Sequence, residues 1–481
     1  MSSRKAAKKS SPAPGVRVRM YNTGLGDCFL LSFEMSGGER PRHVLIDCGA
    51  LATPAAEKRL SRVARHILET ARPGGIDVAI LTHPALGSVS GFLRAGESLS
   101  ELPIGEVWAA WTEDPHDPVA RTLERRRTAA LEGLRAATAH LHAAAHPSAE
   151  LLEPLLGLFG KPEEDGGPTE ARRAFETMFR SGAAVRFQAP GDRPCPLPGV
   201  PGVRVYVLGP PRSGGMEQPG RDREEGLALG EDTSFFLAAL AAQGKEMDGP
   251  EKDLRDRCFP FEKSFRMPVD EARTHSFFQR HYFGEPGEEG EMAWRKVESE
   301  WTGSSTRLAL ELDRDVNDAS LALAFELPDG KVLLFPGNAQ EAQWRSWQRL
   351  SWPREEDRDN PVTVSDLLRR TVLYKASHHG SQAGTPWEDG LARMTHPDLT
   401  VMVPVDEAEA REGHPGSWDF PFGPLLERFR EVARGRVLLP DRCLPDRPDR
   451  ISREEWKAFE GRSKCEPGLY VEVTIPFEET P

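Results

Sequence analysis

Five apolar runs each end on a short polar loop, and this pattern constrains the fold more than any other feature of the chain. VRVRMY leads into Gly24-Leu25-Gly26-Asp27, and HVLI leads into Asp47-Cys48-Gly49. VAIL leads into Thr82-His83, VLLF into Gly337-Asn338-Ala339, and TVLY into the loop His378-His379-Gly380-Ser381. Apolar runs of this length bounded by glycine read as buried strands. Between them, residues 54–72 place Leu60, Val63, Ile67 and Leu68 at a helical period. Strand, helix, strand and loop in that order predict layered α/β packing, with the chemistry gathered where strands end.

The rest of the chain divides around these runs. Residues 1–15 read as a solvated basic tail without the apolar stretch of a secretory signal. Residues 119–147 are rich in Ala and Arg and read as helix, and residues 148–190 read as further short helical pieces. A strand is expected at 203–211, followed from Arg212 to about Gly303 by a polar insertion. Its phenylalanines (Phe259, Phe261, Phe265, Phe277, Phe278 and Phe283) are expected to form a satellite core, with a partner-facing patch as the alternative. Pro328-Asp329-Gly330 marks a hairpin. Further strands are expected at LTVMVPVD and GRVLLPDR, a helix at Leu425–Val432, and a closing strand at LYVEVTIPF. One main domain over 16–440 is expected, with insertions at about 112–180 and 212–303 and a C-terminal extension over 441–481.

A formal net charge of −13 argues against broad, non-specific nucleic-acid binding, which needs clustered Lys and Arg. No run approaches the roughly 18 consecutive apolar residues that cross a bilayer. The six cysteines are scattered without a CxxC pair and read as reduced core thiols, which points to a cytoplasmic protein.

Four segments stand in a telling order: GLGDCFLLSF with LIDCG, LTHPALGSVSGF, LLFPGNAQEAQW and YKASHHGS. Together they resemble the metallo-β-lactamase superfamily, most closely the branch related to the nuclease-like domain of bacterial DNA-uptake channels. The resemblance spans roughly residues 16–440 and implies an αββα sandwich. It also implies a metal site, for which active members carry a His-x-His-x-Asp-His loop. His83 matches the first position, but Ala85, Gly87 and Ser88 stand where the family has His, Asp and His. The family's bridging aspartate is Asn338 here, and the position after the intact His378-His379-Gly380-Ser381 loop is Gln382. Asp27 and Asp47 match positions that line the floor of the site, where Asp47 is expected to orient neighbours or cap a turn.

Zinc or manganese needs imidazole nitrogens and carboxylate oxygens, and two metals need a shared anionic bridge. Ala85 and Gly87 offer no donor atom, and Asn338 is neutral. His83 with His378 or His379 leaves at best two protein ligands, too few to lower the pKa of a bound water. The expectation is therefore a dismantled site with no resident cofactor. His83 becomes a hydrogen-bonded relic, and the tandem histidines are fold-structural or, in a surviving mononuclear site, would bind zinc or manganese with His83. His140, His142 and His146 have partial ligand spacing in Ala-rich surroundings and read as surface residues. Ser88 lacks a His–Asp pair placed by sequence to make it a nucleophile.

The leading expectation is a pseudo-enzyme that binds a protein partner as a scaffold subunit. The branch it resembles suggests a setting in a bacterial defence or conflict system. Two other readings are a reduced-site hydrolase of phosphodiesters or nucleic acids, and a sensor of a small ligand, a nucleotide or a nucleic acid without turnover.

Overall fold

A computed structural model of the chain describes residues 14–37, 40–53, 55–72, 74–94, 99, 102–143, 148–161, 168–191, 193–212, 267, 269–283, 300–354, 359–412 and 420–479. The chain separates into two compact units, one of 1–122, 157–227 and 316–481, the other of 123–156 and 228–315. Among the described residues, all the strands and the whole candidate site belong to the first.

In chain order its strands are Gly15–Tyr21 (β1), Cys28–Glu34 (β2), Arg42–Cys48 (β3), Ile76–Leu81 (β4), Ile104–Ala110 (β5), Ala184–Gln188 (β6), Cys195–Pro196 (β7), Arg204–Gly209 (β8), Ala322–Glu326 (β9) and Val332–Phe335 (β10). There follow Ser351–Trp352 (β11), Val362–Thr363 (β12), Thr371–Lys375 (β13), Thr400–Met402 (β14), Val437–Leu438 (β15), Ser463–Glu466 (β16) and Tyr470–Pro476 (β17). They form an eight-stranded mixed sheet, β16-β17-β1-β2-β3-β4-β5-β6, and a seven-stranded mixed sheet, β15-β14-β13-β10-β9-β8-β7. β11 and β12 make a separate two-stranded ribbon. The class is mixed α/β.

Strand alternation explains the layering. In β4, Val78 and Ile80 join a core shared with the second sheet, while Ala79 and Leu81 face the other way into a core with helices. β10 divides likewise, with Leu333 and Phe335 in the shared core and Val332 and Leu334 in a different one. Phe29 and Phe335 meet edge to face across the shared core at 5.5 Å between ring centroids. Helix Ala56–Ala71 covers the outer face of the first sheet with Leu60, Val63, Ala64 and Ile67. The outer face of the second is covered by Trp344 and Trp347, Leu367 and Leu368, and Leu425, Leu426 and Phe429, carried on three helices. Strands buried on both faces read as continuous apolar runs, which is why they were visible in the sequence.

Several expectations change. Ala184–Gln188, expected among short helical pieces, is an edge strand paired in parallel with β5. Its alternating exposure suits a sheet edge, not a helix. The polar segment expected to run to Gly303 already contains the start of helix Glu300–Asp318. The closing strand β17 pairs with β1 along its whole length, so the 441–481 segment contributes to the same sheet as the segments before it.

Cys443 and Cys465 form a disulfide with a Cα–Cα separation of 5.3 Å, correcting the expectation of six reduced thiols. The loop after β15 returns beside β16, a juxtaposition that spacing alone does not reveal. Cys28, Cys48 and Cys195 are free, and Cys258 lies outside the described residues. The cytoplasmic expectation rested on reduced thiols, and this bond removes that support. Among the described residues no helix is long and apolar enough to cross a membrane.

In the second unit, His142 bonds Glu153 at 2.7 Å, whereas His146 and the His140 side chain lie outside what the structure describes. Phe277 is 66% exposed and stacks only partly on its neighbours, so it is not a core residue. Phe278 and Phe283 are half-buried, and Phe259, Phe261 and Phe265 fall outside the described residues.

Candidate functional site

The strand-end residues converge on one side of the two sheets. Asp47, next to last in β3, has a left-handed backbone conformation, φ 55°. Its carboxylate accepts from the Thr82 backbone N–H at 2.8 Å and from the Thr82 hydroxyl at 2.6 Å. Thr82 Oγ1 lies 2.8 Å from His83 Nδ1. On the far edge of the ring, the Asn338 Nδ2 amide is 3.1 Å from His83 Nε2, and the same amide donates to Asn317 Oδ1 at 3.1 Å. An amide nitrogen can only donate, so His83 Nε2 is an acceptor and the ring proton sits on Nδ1. With Asp47 ionised, the polarity then runs one way, from Asn338 through His83 and Thr82 to Asp47.

A second chain starts at Lys375, the last residue of β13. Its ammonium donates to Asp27 Oδ2 and to the Gly337 carbonyl, each at 2.7 Å. Lys375 and Asp27 are both buried. His379 lies 3.8 Å from Asp27 Oδ1 and uses Nδ1 to bond the Pro404 carbonyl at 2.9 Å. His378 Nδ1 faces the Ser381 hydroxyl at 3.1 Å and the Gln340 amide at 3.4 Å. Both tandem histidines have left-handed backbones, an uncommon state for non-glycine residues that persists only where the surroundings enforce it.

Burial dominates the protonation of these groups. It pushes the Asp47 carboxyl up to about 8, with the neighbouring Asp27 charge adding to the effect. It pulls His378 down to about 3, helped by His379 and Lys375. His379 is lowered too, by burial first, against an opposing pull from Asp27. The tandem histidines are therefore neutral at physiological pH.

The expected positions are otherwise distributed as follows. Ala85 precedes the short helix Leu86–Val89, which carries Gly87 and Ser88, both buried. Ser88 Oγ is 3.4 Å from both ring nitrogens of His83, so the structure supplies the histidine that the sequence did not place. The hydroxyl is equally far from both ring nitrogens, and the one ring lone pair, on Nε2, is already taken by Asn338. Gln382 is exposed and lines a separate groove of about 460 Å³ with Trp387, Phe422 and Arg428, among others. Sequence reasoning missed Lys375, Thr82 and Asn317. A lysine closing an apolar strand was the available signal for the first, because lysine is rarely buried without a partner. Asn317 carried no signal, since residues 304–318 were assigned to no element in the sequence reading.

The residues do not fit the zinc or manganese that the fold resemblance implies. The Nε2 lone pair of His83 is spent on an amide, and one oxygen of Asp27 is spent on an ammonium that would repel a dication. The buried oxygens Asp27 Oδ1 and Asn338 Oδ1 have no hydrogen-bond partner. His379, whose Nδ1 donates to the Pro404 carbonyl, keeps its lone pair on Nε2. The open donors are therefore one imidazole nitrogen, one carboxylate oxygen beside a lysine and one neutral amide oxygen. Among the described residues, no group of three or more His, Cys, Asp or Glu is placed to hold a metal. What the arrangement can do is fix geometry through polar links between strands. Comparison of the sequence with protein-family models and with curated proteins gives no match.

Proposed function

We propose that the chain is a catalytically degenerate protein of the metallo-β-lactamase fold that works as a binding or scaffold subunit for a protein partner. The αββα reading is supported by two sheets with a shared core and helices on both outer faces. The strand-end signatures also lie together, which the sequence resemblance leads one to expect of a site. The observation that carries the loss of catalysis is the Asn338 amide donating to His83 Nε2. Where a metal ligand needs a free lone pair and a bridging carboxylate, this chain has a hydrogen bond between two neutral groups. A bacterial defence or conflict system is the proposed setting, on the strength of the sequence resemblance alone.

The test is elemental analysis of the full chain, purified without chelator or histidine tag and dialysed. Less than about 0.1 metal per chain is expected, since a tight site would retain its ion. One equivalent of zinc, manganese or iron would overturn the reading, and a phosphodiesterase assay would then test the reduced-site hydrolase.

A further inference from the structure

We infer that the remains of the strand-end site serve as a clasp between the two sheets, with Asn338 as its central positioning residue. This rests on the reading of the cleft as metal-free and says what its residues do instead.

The clasp consists of links that each cross from one sheet to the other. Asn338 follows β10 of the second sheet and holds His83, which follows β4 of the first, at 3.1 Å. Lys375 in β13 holds Asp27, which precedes β2, at 2.7 Å. Between these side-chain links, the backbone N–H of Leu321, just before β9, donates to the Thr82 carbonyl at 2.9 Å. Farther along, Leu25 and Val405 form an isolated antiparallel bridge, and Asp406 N–H donates to the Gly24 carbonyl at 2.9 Å.

The side-chain links are internally anchored on both sides. Asn338 is fixed by its amide bond to Asn317 and by its backbone N–H, which donates to the Ser320 hydroxyl at 3.0 Å. His83 is fixed through Thr82 to Asp47. Over the shared core the two sheets meet through apolar side chains, whose contacts are non-directional and set no register between layers. Buried polar bonds are directional and costly to leave unmade, so a row of them at the strand ends selects one relative placement of the sheets. An aspartate at position 338 would present a carboxylate to the ring, not an amide donor, and this link would require either a protonated His83 or a shift of the ring proton to Nε2, away from Thr82. The neutral asparagine is the residue that closes the clasp without adding a buried charge.

The test is a double-mutant cycle on the full chain, with Asn338→Ala, His83→Ala and the double variant unfolded in urea at pH 7.5. Coupling of about tenfold in the folding equilibrium constant is expected for residues in direct contact. Effects that multiply independently to within about twofold overturn the clasp. Because truncating His83 also opens a cavity, His83→Gln and His83→Leu give a second comparison. Gln keeps an acceptor for Asn338 and should be at least fivefold more stable in the same equilibrium, and equal stability would overturn the proposal. Nitrogen NMR of histidine-labelled wild-type chain requires no substitution that affects folding. It should show His83 protonated at Nδ1 with a bare, hydrogen-bonded Nε2, and the opposite tautomer would overturn the assignment. A metal-free chain with an uncoupled pair would defeat the clasp and leave the proposed function standing. Bound metal would defeat the proposed function, whatever the cycle shows.

Discussion

Asp47 couples the fold to pH through its buried environment. Its carboxyl is pushed up to about 8 in the folded chain, chiefly by burial. The folded state therefore holds a proton that the unfolded chain releases above about pH 4. Stability from this group is fully present below the unfolded pKa and is lost as pH rises through about 8. His378, pulled down to about 3, acts in the opposite sense, because the unfolded chain takes up its proton below about pH 6.5. Between pH 6.5 and 8 Asp47 thus acts without opposition from His378. Wild-type stability in urea should fall by on the order of 1 kcal/mol over that interval, and Asp47→Asn should flatten the slope. A slope that survives in Asp47→Asn would assign the pH dependence to another group. At this scale, much of the site was legible in the sequence. Asp27, Asp47, His83 and Asn338 were found because each sits beside an apolar run, at a position where the sequence resembles a motif of the family. Gln382 was placed in the cleft because it follows the tandem histidines, yet the loop carries it outward. Direction within a loop is set by backbone conformation, which residue order does not encode.

At the scale of elements, the short helix Leu86–Val89 shows how closely the turns around the site approach one another. The Asp27 N–H donates to the Gly87 carbonyl at 2.8 Å, and the Gly49 N–H donates to the Asp27 carbonyl at 3.0 Å. A Cβ on Gly49 would lie 2.4 Å from the Leu86 carbonyl oxygen and 2.5 Å from the Val89 nitrogen, both backbone atoms that cannot rotate away. A Cβ on Gly87 would meet nothing nearer than 3.7 Å. Gly49→Ala should therefore destabilise the chain by about 3 kcal/mol through overpacking. Gly87→Ala should be neutral or stabilising by up to about 1 kcal/mol, since it removes backbone freedom from a helix without a clash. Thermal or urea unfolding of the two variants checks the contrast, and equal losses would mean that the helix does not sit against the LIDCG turn. The same helix was invisible in the sequence, where PALGSVSG has the composition of a loop. Longer elements were readable in proportion to their periodicity. Ala56–Ala71 stood out by its apolar stripe, whereas Ala184–Gln188 is too short and too exposed to show one. Glu300–Asp318 was hidden by its polar N-terminal half.

At the scale of the whole chain, the last strands and the disulfide decide how the sheets are closed at one edge. β15 is an edge strand of the second sheet and β16 an edge strand of the first. Cys443 lies a few residues after β15 and Cys465 lies within β16, so the bond staples the two edges together. Between them, Ile451, Trp456 and Phe459 are buried in the core that the sheets share. Chain order could not reveal this, because cysteines 22 positions apart with no motif carry no pairing information. The bond closes a loop of modest length and should contribute about 3 kcal/mol, mainly by restricting the unfolded chain. Reductant should lower the urea midpoint of the wild type by the corresponding amount. Cys443→Ser should start at that lower midpoint and show no further response to reductant, because its only lost constraint is the one that reductant removes. If reductant lowers both equally, the sensitivity belongs to another thiol. If it lowers neither and the variant matches the wild type, Cys443 and Cys465 are unbonded in solution, and the argument for reduced thiols regains its force.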